Sequence, residues 1–442
     1  MYYCGLDIHK KFTCACLLDG AGEVRKNTKF LSTPEDIEKF AKSLPEDTKV
    51  ALEATTNGFA FANLLESLGL EVTISNPLQT KAIAWAKVKT DEIDARTLAD
   101  LLRCDYLPGV WKPDDRTLVW RQLVSYREGL TSQRTGIKNR IHALLHRNLV
   151  TAPEVSDLFG KKGREFLDGV GAQLPGTEAW LLQENLAALD RLQDALTRAG
   201  ARIAEAAVDN NDVRLLMTLP GISHVTAASL VAAIGPIDRF PKPKKLGSYF
   251  RLNPSVYQSG AKTRTGAISK RGRRQARWAL VEAANAAVRT PGPLQGAYLR
   301  LRRKKGHNVA VVAVARKMAT IIWHLLTRQE PYQWAPPLRT EEKLRQLELA
   351  AGYPRRKSGP KKGEPSKGGR AGRDERRRTD KDLAKIAQAQ YELLVKNWKE
   401  VGPSREARAS QERAPATRRK KWVPIPDQRV DIFRDTRTLG SR

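Results

Sequence analysis

The chain opens on Tyr2-Tyr3-Cys4-Gly5-Leu6 and, after Asp7-Ile8-His9-Lys10-Lys11, on Phe12-Thr13-Cys14-Ala15-Cys16-Leu17-Leu18, two short β-prone runs. A third run covers 24–30, beyond Gly20 and Gly22, residues that suit a tight turn. Three antiparallel strands are therefore expected. Helical and extended signals then alternate: a helix over 34–44, a strand over 49–52, a helix over 59–68, a strand over 71–75, and helix again from Lys81. Acids stand at the ends of these elements. Asp7 lies at the end of the first run and Glu53 ends Val50-Ala51-Leu52-Glu53. Asp91 and Asp94 open a helix in Lys89-Thr90-Asp91-Glu92-Ile93-Asp94-Ala95-Arg96, and a spacing of three lets both face one side.

The order βββαβαβα is what a ribonuclease-H-like α/β domain shows, in which the first and fourth strands are neighbours, although alternation alone would also suit other α/β folds. That order brings Asp7 beside Glu53 and lays the helix of Asp91 and Asp94 across their ends. Converging carboxylates repel unless cations neutralise them, and oxygen ligands favour Mg²⁺ or Mn²⁺ over zinc. Two such ions about 3.5–4 Å apart would activate an attacking oxygen and stabilise a leaving one in phosphoryl transfer.

The composition points to the same chemistry. Over 442 residues, 78 Lys and Arg face 48 Asp and Glu, a net charge of +30. Such an excess is self-repelling until a polyanion meets it, and nucleic acid is the usual one. With 41% hydrophobic residues the chain has cores to build, and at roughly 150 residues per domain it holds more than one. Four cysteines without a CxxC pair argue against a disulfide framework and a Cys-rich zinc site. The sequence shows no apolar run of membrane-spanning length, no secretory signal and no GxxxxGK[ST] loop, so a cytoplasmic protein with no membrane role and no nucleotide hydrolysis is expected.

Downstream the pattern becomes helical. Leu123, Leu130, Ile137 and Leu144 recur every seven residues, and a second long helix over 178–208 carries Leu182, Leu186, Leu189, Leu192, Leu196 and Ile203. These helices predict an antiparallel hairpin or a dimerising coiled-coil stalk. Residues 212–330 read as mostly helical, and Leu219-Pro220-Gly221-Ile222-Ser223 before an apolar helix reads as a helix-hairpin-helix. Its backbone N–H groups, at Gly221, would meet a phosphate. Lys262, Arg264, Lys270, Arg271, Arg273, Arg274 and Arg277 straddle a helix start and can bind successive phosphates. Interleaved Tyr249, Phe250, Tyr257 and Trp278 serve as core or as stacking surfaces. In 355–381 twelve Lys and Arg face four acids among Gly and Pro, which predicts disorder until nucleic acid binds, with a helix over about 382–398. The expected division is thus 1–110, an α/β domain; 111–210, the stalk; 211–335, a helical domain; and 336–442, a basic, partly disordered extension.

Gly5-Leu6-Asp7-Ile8-His9-Lys10, Leu52-Glu53-Ala54-Thr55 and Lys89-Thr90-Asp91-Glu92-Ile93-Asp94-Ala95 resemble the RuvC-like domain of the DEDD transposases of bacterial insertion sequences, the bridge-RNA-guided recombinases. Leu219-Pro220-Gly221-Ile222, Phe250-Arg251-Leu252-Asn253-Pro254, Ser259-Gly260-Ala261-Lys262 and Ile268-Ser269-Lys270-Arg271-Gly272 resemble that family's C-terminal transposase domain. The resemblance covers about residues 1–330 and implies that Asp7, Glu53, Asp91 and Asp94 hold Mg²⁺. It implies a serine nucleophile, Ser259 of Gln258-Ser259-Gly260 with Ser269 as its rival, and a covalent phosphoserine. It also implies donor and target DNA, a noncoding bridge RNA, a homo-oligomer (dimer or tetramer) whose subunits share the site, and a nucleoid-associated location. A serine hydroxyl needs a base or metal to take its proton, and the neighbourhood of Ser259 offers only cations. Two other readings stay open: a structure-specific Mg²⁺-dependent nuclease that activates water on the same acids, and a non-catalytic nucleic-acid-binding protein.

Overall fold

Alternation along Tyr2–Ile8 (β1) sends Cys4, Leu6 and Ile8 to one side of a sheet and Gly5 and Asp7 to the other. β1 pairs antiparallel with Phe12–Leu18 (β2), which pairs antiparallel with Val24–Leu31 (β3). β3 is an edge strand, and its Arg25, Lys26 and Lys29 discourage pairing with a foreign strand. Pro34–Lys42 (α1) crosses to Thr48–Glu53 (β4), parallel to β1, and Gly58–Ser67 (α2) crosses to Glu71–Ser75 (β5), parallel to β4. Parallel neighbours need such crossovers. The order β3-β2-β1-β4-β5 is a mixed sheet consistent with a ribonuclease-H-like domain. Ile37, Phe40, Phe61 and Leu65 of α1 and α2 bury against Cys4, Leu6, Val50, Leu52 and Ile74. Pro77–Ile83 (α3) follows, and Asp91–Arg103 (α4) covers the opposite face, burying Ala95 and Ala99 with Cys16 and Leu18.

The computed structural model describes residues 1–84, 90–260, 262–268, 274–354 and 370–400, which contacts divide into two compact units, Met1–Gly129 and Leu130–Arg442. Asp115–Arg147 (α5) runs across that division.

In the second unit Lys161–Val170 (α6) and Gly176–Ala207 (α7) complete a hairpin with the end of α5. Ile137, Ile141 and Leu144 pack with Leu182, Leu186 and Leu189, while Leu130 meets Leu196 and Ala199, so the two long helices run antiparallel. Arg147 grips Glu178 and Arg164 grips Asp190 across the hairpin. Asn211–Met217 (α8), His224–Ile234 (α9) and Pro243–Tyr249 (α10) lead to Pro254–Ser259 (β6) and Lys262–Ile268 (β7), an antiparallel pair. Arg274–Ala287 (α11), Pro293–Lys305 (α12), His307–Arg328 (α13), Pro337–Ala350 (α14) and Arg370–Glu400 (α15) follow. Among the described residues α13 is the one helix long and apolar enough to cross a membrane, and its Val311, Val314, Met318 and Ile322 are buried in the core of this unit.

The mostly helical region 212–330 also holds one strand pair, because the β-branched run through Val256, Thr263 and Thr265 folds back at Gly260, whose φ of 57° suits a tight turn. One expectation is corrected: disorder over 355–381 fails from Arg370 onward. There α15 packs on α14, with Asp380 accepting hydrogen bonds from the backbone N–H groups of Leu338 and Arg339 and so capping that helix start. Residues 355–369 lie outside the described residues.

Candidate functional site

The site begins with a missing side chain. A Cβ on Gly5 would stand 1.9 Å from the carbonyl oxygen of Ala95 and 2.7 Å from the nitrogen of Ala99, so α4 lies directly on β1 there. Asp7 points to the same face two residues on, while Asp91 and Asp94 lie in the helical turn before Ala95. Thr90 caps α4 by accepting from the Ile93 N–H, and the positive helix start favours the acids of its first turn. The close approach therefore carries the first turn of α4 over the end of β1.

His9 Nε2 lies 3.1 Å from Asp7 Oδ2 and 3.3 Å from Asp91 Oδ1. One donor atom from each of the three residues falls within 4.8 Å of the others. The turn after β1 fixes His9: its N–H donates to the Phe12 carbonyl at 2.9 Å, its carbonyl accepts from Ser32 Oγ at 3.0 Å, and its ring lies on Phe12. Burial pushes the Asp7 carboxyl above its usual range, the His9 contact lowers it, and the charges of Asp94 and Asp91 raise it further. Cys14, the cross-strand partner of Asp7, is buried in the same floor, and burial followed by the charge of Asp91 raises its thiol.

Of the four acids read from the sequence, Asp7, Asp91 and Asp94 thus share one electrostatic site. Glu53 ends β4, one residue beyond the Leu52 that pairs with Leu6. It is not one of the three residues with clustered donor atoms. His9 was missed as a donor: it was visible only as a neighbour of Asp7, and its second partner, Asp91, is remote in sequence. Two carboxylates, one imidazole and mutual acid repulsion fit a divalent cation, and the donor set admits Mn²⁺ as well as Mg²⁺.

In the second unit Ser259 ends β6 opposite Lys262, exposed, just before Gly260. Among the described residues no acid or imidazole hydrogen-bonds its hydroxyl. Lys262 and Arg264 lie exposed on β7, with Arg274 and Arg277 in the first turn of α11. Ser269, Lys270, Arg271 and Arg273 lie outside the described residues. Gly221, at φ 80°, turns between α8 and α9 with its Cα against the Ala283 carbonyl of α11; an added Cβ would stand 2.1 Å from that oxygen. Phe250 is core, Tyr249 packs at a tilt beside Phe240, and Tyr257 and Trp278 are exposed.

Carboxylates at the end of β1 and on a helix crossing that sheet, joined by one imidazole, fit a class: α/β domains consistent with a ribonuclease-H-like architecture that carry a candidate divalent-metal site. Comparison with known proteins narrows it. The family model for DEDD transposases of the IS110 type matches residues 4–148, and that described as "Transposase IS116/IS110/IS902 family" matches residues 213–300. The transposase for insertion sequence element IS1111A of Coxiella burnetii is 26% identical over 338 residues, 74% of this chain and 90% of the relative. The IS116 44.8 kDa protein of Streptomyces clavuligerus is 23% identical over 387 residues, 76% of this chain and 96% of the relative. A pilin gene-inverting protein of Moraxella bovis is 29% identical over 126 residues, 28% of this chain and 39% of the relative. The chain belongs to the DEDD transposases of bacterial insertion sequences, DNA-recombining enzymes of mobile elements that use divalent metal.

Proposed function

We propose that the chain is a bridge-RNA-guided recombinase that cuts and exchanges donor and target DNA strands through a covalent phosphoserine on Ser259. The observation that carries this reading is the meeting of Asp7, His9 and Asp91 under the first turn of α4, in a chain whose second unit holds an exposed serine at a hairpin tip.

Asp7, Asp91 and His9 would hold the ion, Mg²⁺ or Mn²⁺, with Asp94 and Glu53 completing the acidic wall. When bound, the ion supplies Lewis-acid polarisation of the phosphodiester and charge neutralisation. Ser259 Oγ attacks phosphorus, forming one P–O bond as the bond to the departing strand end breaks. The serine proton leaves to a base and the departing oxygen takes one up. The diester is kept as a phosphoserine, so rejoining needs no external energy source. Inversion of DNA, the activity named for the Moraxella bovis relative, likewise calls for rejoining as well as cutting. Lys262, Arg264, Arg274 and Arg277, with Lys270, Arg271 and Arg273, would hold phosphates, and the Gly221 turn would act as a helix-hairpin-helix. The α5–α7 hairpin would serve as a stalk in a dimer or tetramer, with the nucleoid as its place of action. The domain division of 1–110, 111–210, 211–335 and 336–442 belongs to this proposal.

The test is the protein purified with the RNA of its own locus and incubated with donor and target duplexes and Mg²⁺. A protein–DNA adduct stable in SDS is expected from the wild type and from Ser269→Ala, and none from Ser259→Ala or Asp7→Asn. An adduct that persists in Ser259→Ala and vanishes in Ser269→Ala moves the nucleophile to Ser269. Cleavage without any adduct favours the water-activating nuclease, and activity indifferent to the RNA removes guidance.

A further inference from the structure

From Ala283 to Gln329 the chain contains no Asp or Glu, yet five cations, Arg300, Arg302, Arg303, Lys304 and Lys305, crowd the end of α12. At 1.5 Å per residue they occupy about 8 Å of helix axis. All five are exposed, as are Gly306, His307, Asn308 and Val309 beyond them. Neither helix of the α12–α13 turn can therefore supply a neutralising acid. α15 docks on α12 at Gly292 and Gly296, through Gln388 and Tyr391, at the other end of the helix.

The turn is rigid. Gly306, at φ 78°, stops α12 and starts α13. Buried Tyr298 bonds the His307 ring at 2.8 Å, and the Arg302 guanidinium lies over the Tyr298 ring. Carbonyls at a helix end welcome one or two cations, but five within about two turns repel one another. An external array of negative charge would relieve that repulsion.

We propose that the α12–α13 turn is a phosphate-backbone contact for duplex DNA, additional to the cluster over 262–277. A preformed cationic knob suits the regular phosphates of a duplex. Single strands are held by stacking, and residues 299–309 contain no Phe, Tyr or Trp to stack on. The inference rests on the reading of the chain as a DNA-recombining enzyme and adds where the duplex lies.

The test uses the full chain with Arg300→Gln, Arg303→Gln and Lys304→Gln combined, all exposed and outside the catalytic groups, and fluorescence anisotropy on a short duplex of arbitrary sequence at several salt concentrations. The plot of log affinity against log salt is expected to become shallower by about 0.9 for each engaged cation removed. A second variant, Arg302→Gln with Lys305→Gln, should flatten it on the other flank, and thermal melting at the wild-type temperature verifies that both fold. An unchanged slope in both variants overturns the site, and so does a loss confined to an RNA duplex or single strand. Wild-type protein that binds no duplex DNA overturns the DNA-recombining reading and this site with it, an outcome distinct from intact binding with an unchanged slope.

Discussion

At the residue scale the candidate metal centre depends on Gly5 as much as on its acids. With Ala there, α4 must move off the sheet, because the atoms it would strike are backbone. Gly5→Ala is expected to cost about 1–3 kcal/mol in urea unfolding and to abolish strand cleavage. Gly129→Ala, in open space on α5, should gain about 0.5–1 kcal/mol and leave cleavage intact. Asp7 shows the opposite relation between stability and function. Its folded carboxyl holds a proton at pH values where the unfolded chain has lost it. Folding therefore takes up a proton in that window, and stability falls as pH rises through it. With chelator present, Asp7→Asn should be more stable than wild type at neutral pH, the difference vanishing below about pH 4, while being inactive with metal. A less stable Asn variant would show that His9 stabilises the carboxylate more than burial destabilises it. The acids could be read from sequence because each stands at the end or the start of a local element. His9 and Gly5 could not, since their roles arise only when β1 meets a helix some 90 residues later.

At the element scale the succession of strands and helices in the first unit was legible from short β-prone runs broken by turn residues, and the long helices from their regular apolar period. The β6–β7 pair was not, because it buries almost nothing: Val256 is 59% and Tyr257 70% exposed, so neither face carries an alternating apolar signal. α14 and the start of α15 escaped notice for another reason, their basic composition masking specific contacts. Lys343 of α14 donates to the carbonyls of Met217 and Leu219, both at 2.6 Å, tying the extension to the loop before Gly221. Burial, then the charge of Arg339, pushes its ammonium down to about 8 from 10.5. Between those values the unfolded lysine keeps a proton that the folded one has released, so stability rises with pH across the window. The slope is at most about 1.4 kcal/mol per pH unit. Lys343→Met should remove that rise in urea titrations from pH 7.5 to 10.5. At pH 7 it should cost about 1–3 kcal/mol through the two carbonyls that lose their donor.

At the scale of the whole molecule the dominant quantity is the charge of +30, which no internal pairing can cancel because cations outnumber acids 78 to 48. Free in dilute buffer, the folded chain concentrates that excess in a smaller volume than the unfolded chain does, so self-repulsion favours unfolding. Salt shortens the reach of that repulsion from about 30 Å at 0.01 M to about 10 Å at 0.1 M. The melting temperature of the free protein should therefore rise with added NaCl. Duplex DNA should raise it at low salt by binding the folded state, and that increment should shrink as salt displaces the phosphate contacts. The two effects together predict curves, with and without DNA, that converge at high salt, as differential scanning fluorimetry can record. A melting temperature that instead falls with salt would mean that exposed pairs such as Arg147–Glu178 and Arg164–Asp190 outweigh the net repulsion. The excess charge would then be dispersed over the surface and not gathered where the turn of α12 and the 262–277 cluster place it.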